Sequence, residues 1–188
     1  MVHSFVQDSF VVDSPIGGLG VAATHDAVCG VSFGATVAEY RFESQADSRF
    51  ESQAESLAGP MVGHGVLDRA RRQLDEYFAG HRTEFDLPLV VRRGSEFERS
   101  VWAEIAVIPY GETLSYGAIA RAIGEPGGAQ AVGLACNRNP LPLVVPCHRV
   151  IGSDGKLVGF GGGLDRKRFL LQLEARVHIE RTFTAGLS

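Results

Sequence analysis

Short hydrophobic runs separated by turn-forming residues dominate the first part of the chain. From about residue 9 to residue 34, apolar stretches alternate with Ser-Pro, Gly-Gly and His-Asp pairs, a pattern that predicts an antiparallel meander. Over residues 66–78 the apolar positions recur at helical spacing and predict an amphipathic helix. Its apolar face is formed by Val66, Ala70, Leu74 and Phe78. The apolar stretch 85–91 is a candidate for one more strand.

From residue 94 onward the apolar positions follow a helical period. Apolar residues recur every four positions over 97–105 and predict a helix, which the Pro-Tyr-Gly at 109–111 ends. Two short helices follow, the first capped by Thr113 or Ser115 and the second starting at Ala129. Two short helices joined by a glycine-containing turn describe a helix-turn-helix. This motif is compatible with DNA binding and equally with plain helix packing.

These patterns divide the chain into an N-terminal α/β domain over 1–93, a helical domain over 94–176 and a flexible tail over 177–188. A tandem copy of eight polar residues interrupts the first domain. RFESQADS at 41–48 recurs as RFESQAES at 49–56. Two copies are too few and too short for a solenoid, so we interpret 41–56 as a duplicated surface loop.

Charge is distributed unevenly along the chain. The net charge is −4, but residues 115–172 contain seven basic and three acidic residues, so this segment carries +4 and the remainder −8. Phosphates respond to the local field, and a basic face on an acidic protein is sufficient to bind nucleic acid. An ordinary solvated surface explains the same charges equally well.

The cysteine content and the hydrophobicity indicate the cellular compartment of the protein. No apolar run approaches the roughly 20 residues that span a bilayer, and the N-terminus does not resemble a signal peptide. The three cysteines (Cys29, Cys136 and Cys147) are too few, and odd in number, for a disulfide framework. We therefore expect a cytoplasmic, reduced protein with no membrane association, in which a cysteine stays a free thiol.

The segment 139–150, NPLPLVVPCHRV, carries the candidate chemistry. An apolar extended stretch with prolines at both ends presents Cys147 and then His148. A thiol is only slightly ionised at neutral pH and needs a base or a positive field to react. Because neighbours in an extended chain point to opposite sides, we hypothesise that a water relays the proton from Cys147 to His148. Further metal ligands are lacking nearby, so we expect no metal.

A carboxylate on the C-terminal helix is the candidate third member of the site. The helix runs from Asp165 to about Arg176, and Glu174 borders its apolar stripe of leucines. A carboxylate beside a buried stripe requires a partner, and a histidine base requires a group that orients its ring. A Cys–His–Glu relay and an exposed Glu174 paired with Arg168 fit the spacing equally well.

A glycine run at 158–164 lies between these elements. Glycines let backbone amides approach a ligand, but hinges and plain turns share this composition. The run is not a phosphate loop, because no Gly-Lys-Ser/Thr triplet ends it.

Together these motifs resemble the O6-alkylguanine-DNA alkyltransferase family, also called methylated-DNA–protein-cysteine methyltransferases. The resemblance covers the helical half from roughly Phe97 to Glu174, and a looser likeness covers the N-terminal half in DSPIG at 13–17 and YFAG at 77–80. In family order, the helical half contains PYGET at 109–113, Ser115-Tyr116, AVG at 131–133, Asn139-Pro140, PCHRV at 146–150 and the glycine run.

The resemblance implies both a fold and an activity. The fold is a ribonuclease-H-like α/β lobe, with a small antiparallel sheet plus a helix, followed by a mainly helical lobe with a helix-turn-helix. The activity is DNA repair by irreversible, single-turnover transfer of the alkyl group of O6-alkylguanine, with O4-alkylthymine as an alternative substrate. The partner is double-stranded DNA with the target base flipped out. No cofactor and no obligate protein partner are implied, and the protein acts as a monomer.

The resemblance also implies roles for individual residues. Cys147 accepts the alkyl group, His148 is its water-mediated base, and Glu174 orients the histidine. Asn139 braces the turn before the active-site segment, and Tyr116 presses on the target phosphate and donates a proton towards the guanine.

The remaining implied residues contact DNA or the flipped base. Glutamine stands at position 130, where the family usually has an arginine that fills the gap left by the flipped base, so we expect weaker capture of damage. Phe160 stands where the family often has tyrosine, and it keeps the stacking face without the hydroxyl. The implied set is Ser115, Ala129, Gln130, Arg138, Arg149, Val150, Phe160, Gly161 and Lys167.

Three other functions remain open at this point. A non-catalytic helix-turn-helix regulator would bind a particular DNA sequence and would not need PCHRV. A cysteine hydrolase would turn over repeatedly on acyl substrates. A non-catalytic lesion sensor would bind damaged DNA, but such sensors lack the acceptor cysteine that is present here.

Overall fold

The computed structural model describes residues 8–35 and 65–185, and the duplicated octapeptide lies outside them. The chain forms two compact units. One contains the chain up to Asp75 together with Asp86–Val90, and the other contains Glu76–Phe85 and Val91 onward. The ten residues 76–85 thus belong with the second unit, although they precede the predicted boundary at residue 93.

A three-stranded antiparallel sheet forms the first unit and confirms the predicted meander. The strands follow one another in the order β1-β2-β3, and Phe10, Val21 and Val31 lie side by side across them. An irregularity after Ala22 shifts the register between the second and third strands. The strands are β1 (Asp8–Val12), β2 (Leu19–Ala23) and β3 (Val28–Phe33).

The predicted amphipathic helix is present as α1 (Gly65–Phe78), but its buried face differs from the predicted one. Val66 and Phe78 are only half-buried. The face turned inward is instead formed by Leu67, Ala70, Gln73, Leu74 and Tyr77. This face contains a glutamine and a tyrosine, two polar residues that an apolar pattern search passes over.

The candidate strand at 85–91 is not formed. Only a bridge between Leu89 and Val28 is present, supported by hydrogen bonds from the Val28 amide to the Pro88 carbonyl (2.9 Å) and from the Val90 amide to the Val28 carbonyl (3.0 Å). Because Pro88 has no amide hydrogen, it cannot donate to a ladder, and pairing ends there.

The second unit is mainly helical. A capping box fixes the start of α2, because the Ser95 side chain accepts from the Glu98 amide and the Glu98 carboxylate accepts from the Ser95 amide. Two short parallel strands lie side by side, and a single 3-10 turn, Cys147–Arg149, precedes the second of them. The helices and strands are α2 (Glu96–Ala106), β4 (Leu114–Ser115), α3 (Tyr116–Ala122), α4 (Ala129–Asn137), β5 (Val150–Ile151) and α5 (Leu164–Ala185).

The predicted helix-turn-helix is formed by α3 and α4. Of the two candidate caps, Ser115 is used, and its hydroxyl accepts from the Ala118 amide at 3.1 Å. The two helices are in contact at Gly133, where an added Cβ would lie at an ordinary van der Waals distance of 3.8 Å from the Tyr116 ring.

The expectation of a flexible tail from residue 177 is corrected by α5, which continues to Ala185. Val177 is buried, and a Cβ added at Gly80 would lie 2.8 Å from its side chain. The Arg181 guanidinium donates to the Gly80 and His81 carbonyls at 3.2 and 2.9 Å. These contacts hold the extra turns in place. No helix among the described residues combines the length and the hydrophobicity needed to cross a membrane.

Candidate active site

The segment before Cys147 is fixed by the side chain of Asn139. Its Nδ2 donates to the Val145 carbonyl at 2.7 Å, and its Oδ1 accepts from the Leu141 amide at 3.0 Å. Between them Leu143, fully buried, adopts a positive φ of 75°, a left-handed conformation that costs a non-glycine residue on the order of 1–2 kcal/mol. The surrounding hydrogen bonds therefore hold a strained turn directly before Cys147.

The active-site cysteine begins a tight turn rather than an extended strand. The amide of Cys147 donates to the Val145 carbonyl at 2.8 Å, and Cys147–Arg149 forms one 3-10 turn. The predicted extended geometry is therefore wrong. In a 3-10 turn the side chains lie about 120° apart, so Cys147 and His148 still point in different directions. Both side chains are buried.

The thiol of Cys147 is neutral in this structure. Burial raises its pKa to about 11, although a hydrogen bond with Asn139 and the charge of Lys167 act in the opposite direction. A thiol with this pKa forms the nucleophilic thiolate only if a base removes its proton.

His148 is arranged to act as that base. Its Nε2 lies 2.8 Å from Glu174 Oε1, and both side chains are fully buried. Burial lowers the pKa of His148, against the hydrogen bond with Glu174 that raises it, so the imidazole is neutral. An ionised carboxylate only accepts, so Nε2 carries the hydrogen and Nδ1 the lone pair. Among the described residues none is a hydrogen-bond partner of Nδ1.

The open choice for Glu174 is resolved by its burial. Its proposed surface partner Arg168 pairs with Asp165 instead, at 2.9 Å. Burial alone would raise the pKa of Glu174, but hydrogen bonds and charges from His148 and Arg149 overcome it and lower the pKa to about 2. Glu174 therefore stays ionised and stabilises a positive charge on His148.

Three further groups hold the Glu174 carboxylate. The Tyr77 hydroxyl donates to Oε1 at 2.7 Å, and the Gly111 amide donates to Oε2 at 3.1 Å. Arg149 donates with Nε to Oε2 at 2.9 Å and with its NH2 nitrogen to Oε1 at 3.0 Å. Tyr77 and Gly111 had no assigned role in the sequence. The signal for Tyr77 was a hydroxyl on the buried face of a helix, which requires a partner.

The expected DNA contact by Arg149 is corrected. Its side chain is buried against Glu174 and also donates to the Ile108 carbonyl at 2.6 Å. With these donors engaged inside the protein, the guanidinium does not reach a phosphate or a base. The arginine of PCHRV supports the site from within.

Lys167 and Tyr116 tie the helix-turn-helix to the glycine run. The Lys167 ammonium is buried and donates to the Val150 carbonyl at 2.6 Å, with the Tyr116 hydroxyl 3.2 Å away. The Tyr116 hydroxyl donates to the Val158 carbonyl at 2.6 Å. Burial lowers the pKa of Lys167 and raises that of Tyr116 to about 12. These contacts hold Lys167 between β5 and the glycine run, and its support of a base pocket stays a prediction.

The side chains of the other predicted DNA contacts differ in their exposure and in their hydrogen bonds within the protein. Gln130 is exposed in the first turn of α4, beside the half-buried Ala129. Arg138 is exposed but pairs with Glu98 at 2.9 Å, and Ser115 uses its hydroxyl as the cap of α3. In the glycine run, Phe160 is half-buried and Gly161 exposed.

Comparison with known proteins agrees with this architecture. The ribonuclease-like domain of 6-O-methylguanine DNA methyltransferase matches residues 9–91, and its DNA binding domain matches residues 96–176. The fold and the site thus define a protein with a ribonuclease-like domain followed by a DNA-binding domain that carries a buried cysteine. The chain belongs to the 6-O-methylguanine DNA methyltransferase family.

Individual relatives show how far the similarity extends. The methylated-DNA–protein-cysteine methyltransferase of Mycolicibacterium paratuberculosis is 64% identical over 107 residues, which span 57% of this chain and 64% of the relative. That of Mycobacterium leprae is 54% identical over 119 residues, 63% of this chain and 72% of the relative. The crystal structure of Mycobacterium tuberculosis OGT in complex with DNA is 43% identical, with a TM-score of 0.71 over 89% of this chain and 92% of that one.

Proposed function

We propose that this protein repairs DNA by moving the alkyl group of O6-alkylguanine in duplex DNA onto Cys147, once and irreversibly. The observation that carries the proposal is the buried Cys147, followed directly by a neutral His148 whose Nε2 is held by Glu174. Membership of a methyltransferase family supports it, as does a relative of similar fold in complex with DNA.

The first step is removal of the thiol proton. His148 presents Nδ1 as the basic nitrogen, and we hypothesise that a water carries the proton to it from Cys147. Burial raises the pKa of the thiol and lowers that of the imidazole, so this transfer is uphill in the free protein. The ionised Glu174 stabilises the imidazolium that forms.

The second step is displacement at the alkyl carbon. A bond forms between Cys147 Sγ and that carbon while the bond from the carbon to guanine O6 breaks, and the electron pair stays on the guanine. Neutralising the developing negative charge lowers the barrier, and the Tyr116 hydroxyl, with Lys167 at 3.2 Å, is the proposed proton donor. The product is a thioether without an electrophilic carbonyl, so water does not regenerate the thiol and no cofactor enters the step.

Access to O6 requires the nucleotide to leave the base stack. Unstacking costs a few kcal/mol, and less when alkylation has weakened pairing. We assign the exposed Gln130, at the start of α4, to the gap that the flipped nucleotide leaves in the base stack. The flipped base itself is assigned to Phe160 and to the backbone at Val150 and Gly161. Phosphate contacts from the exposed basic residues of segment 115–172 (Arg121, Arg138, Lys156 and Arg168) offset the unstacking without reading sequence.

The proposal also implies a cellular compartment and a binding partner. A single reactive thiol has to stay reduced, which is the condition of the cytoplasm. Double-stranded DNA containing O6-alkylguanine is the proposed partner, and the reaction needs no second protein.

A stoichiometric transfer assay tests the proposal. Duplex DNA carrying labelled O6-methylguanine is incubated with the wild type, with Cys147→Ala and with the control Cys29→Ala. We expect one label per molecule for the wild type and the control, and none for Cys147→Ala. Continued turnover would indicate a hydrolase. Sequence-selective binding without transfer would indicate a regulator, and lesion binding without transfer a sensor.

A further inference from the structure

Three side chains share one oxygen of Glu174, Oε1, and one of them is Arg149, whose NH2 nitrogen donates to it at 3.0 Å. The Tyr77 hydroxyl donates to Oε1 at 2.7 Å, and His148 Nε2 lies 2.8 Å from the same atom. Tyr77 is completely buried, in the last turn of α1. A buried hydroxyl that donates to the carboxylate beside His148 also affects that histidine. Each donor to a carboxylate oxygen reduces the negative charge available to the other donors.

We propose that Tyr77 is a positioning residue for the alkyl-acceptor site, whose hydroxyl holds Glu174 so that His148 stays neutral and able to take the Cys147 proton. This inference rests on the proposed function only in the last step, the use of the neutral imidazole. The link from Tyr77 through Glu174 to His148 is a property of the protein without substrate.

The charged and polar groups around Glu174 and His148 limit how far Tyr77 can change the pKa of His148. Glu174 faces His148, Arg149 and the hydroxyls of Tyr77 and Tyr110, besides the Gly111 amide. Arg149 is a fixed cation, and it already neutralises much of the carboxylate. His148 additionally faces Arg149 and Lys167, which both disfavour the imidazolium. Tyr77 is the neutral donor that shares an oxygen with His148.

The direction of the effect follows from the shared oxygen. Without the Tyr77 hydroxyl, Oε1 carries more negative charge and accepts more strongly from Nε2. This stabilises the imidazolium and raises the pKa of His148, so that the base is already protonated at a higher pH. Tyr77 thus extends the pH range in which His148 accepts a proton. A strong Tyr77 bond is consistent with the well-raised pKa of this phenol, for which burial is the largest cause, followed by Glu174.

The structure offers a matched control in Tyr110. Its ring packs edge-on against the Tyr77 ring with centroids 6.0 Å apart, and its hydroxyl is also buried. However, that hydroxyl has no hydrogen-bond partner within residues 8–35 and 65–185. Tyr77→Phe and Tyr110→Phe therefore each remove one buried hydroxyl from neighbouring rings, and only the first removes a donor from Glu174.

The experiment is an NMR titration of the His148 imidazole nitrogens in the substrate-free protein, for the wild type and both variants. Loss of one hydrogen bond of ordinary strength corresponds to roughly half a pH unit, so we expect the His148 midpoint to rise by about that amount in Tyr77→Phe and to stay unchanged in Tyr110→Phe. In a single-turnover transfer assay of Tyr77→Phe, the acid limb of the pH–rate profile should shift to higher pH by the same amount. An unshifted or lowered midpoint in Tyr77→Phe, or equal shifts in both variants, overturns the proposal.

A second variant covers the case in which Tyr77→Phe fails to fold. Tyr77→3-fluorotyrosine keeps the ring and the hydroxyl but makes the hydroxyl a stronger donor, so the His148 midpoint should fall. A rise or no change with this variant contradicts the proposal. If the titrations behave as expected but the wild type transfers no alkyl group, the proposed function fails and the Tyr77–Glu174–His148 link stands.

Discussion

Arg149 and Glu174 form a two-point ion pair inside the protein. Arg149 Nε lies 2.9 Å from Oε2 and its NH2 nitrogen 3.0 Å from Oε1, and the two side chains are 8% and 1% exposed. A guanidinium suits this arrangement because its donors form a rigid fork that matches a carboxylate. The pair keeps Glu174 ionised, and it places the arginine of PCHRV inside the fold rather than on DNA.

Removal of Arg149 should strongly destabilise the protein. In Arg149→Met the carboxylate of Glu174 keeps its charge but loses its cation, and breaking a buried pair in this way costs about 3–5 kcal/mol. Chemical denaturation measures the loss. Arg168→Met, which breaks the exposed pair with Asp165, is the control and should cost less than about 1 kcal/mol. Equal losses in the two variants would show that the Arg149 pair contributes no more than a surface pair.

The ionisation of Glu174 should make stability depend on pH in acid. The pKa of Glu174 is lowered from its ordinary 4.5 to about 2 in the folded protein. Its contribution is therefore fully present above about 4.5 and is lost as the pH falls towards 2. The free energy of unfolding, measured across this window, should fall less steeply in Glu174→Gln than in the wild type.

Glu98→Gln is the control for this measurement. Hydrogen bonds from Arg138 and Ser95 also lower the pKa of Glu98, but its ion-pair partner Arg138 is 69% exposed, and solvent screens such a pair. We expect a near wild-type slope for Glu98→Gln. A Glu174→Gln slope as steep as that of the wild type would contradict the assigned ionisation.

Asn139 should influence both stability and thiol reactivity. Asn139→Ala leaves the Val145 carbonyl with one donor fewer and the Leu141 amide without its side-chain acceptor, and each lost partner costs about 1–3 kcal/mol. It also removes the hydrogen bond that lowers the pKa of Cys147, so that pKa should rise further. The pH dependence of iodoacetamide labelling reports the second effect. Asn137→Ala, an exposed asparagine two residues earlier, is the control, and a shift of the same size there would refute the assignment.

The sequence contained enough to predict the first sheet, most of the helices and the adjacent cysteine and histidine. The cysteine and histidine are adjacent in the chain, and local periodicity was sufficient for the meander, for α1 and α2 and for the helix-turn-helix. Glu174 remained undecided because helical spacing places it at the edge of the apolar stripe. Only packing against residues far along the chain shows which side of that edge is buried.

The errors share a physical origin in tertiary contacts. Arg149 is a basic residue in a basic segment, and local charge does not show that a buried carboxylate 25 positions away binds it. Tyr77 lies on the buried face of α1. The apolar pattern assigned Val66 and Phe78 to this face, but Leu67 and Tyr77 are the residues that are buried. The final turns of α5 were predicted as a flexible tail, yet Val177 is buried and Arg181 donates to the carbonyls of residues 80–81.

Restoration of a cation at position 130 should strengthen DNA binding. Gln130 is exposed in the first turn of α4, and Gln130→Arg adds one positive charge on the helix we assign to DNA. We expect tighter binding to lesion-bearing duplex, faster transfer, and a plot of log affinity against log salt that is steeper by about one. Thr182→Arg, at an exposed position of α5 outside segment 115–172, adds the same charge as the control. Unchanged affinity and rate in Gln130→Arg would show that this position does not meet DNA.

The proposed reaction leaves the alkyl group on one sulfur atom, that of Cys147. The direct measurement is peptide-level mass spectrometry after the wild-type protein has reacted with an excess of duplex containing O6-methylguanine. We expect one added methylene mass, confined to the peptide with Cys147, and no further consumption of lesion afterwards. An unmodified Cys147 peptide alongside repaired DNA, or the added mass on Cys29 or Cys136, would contradict it.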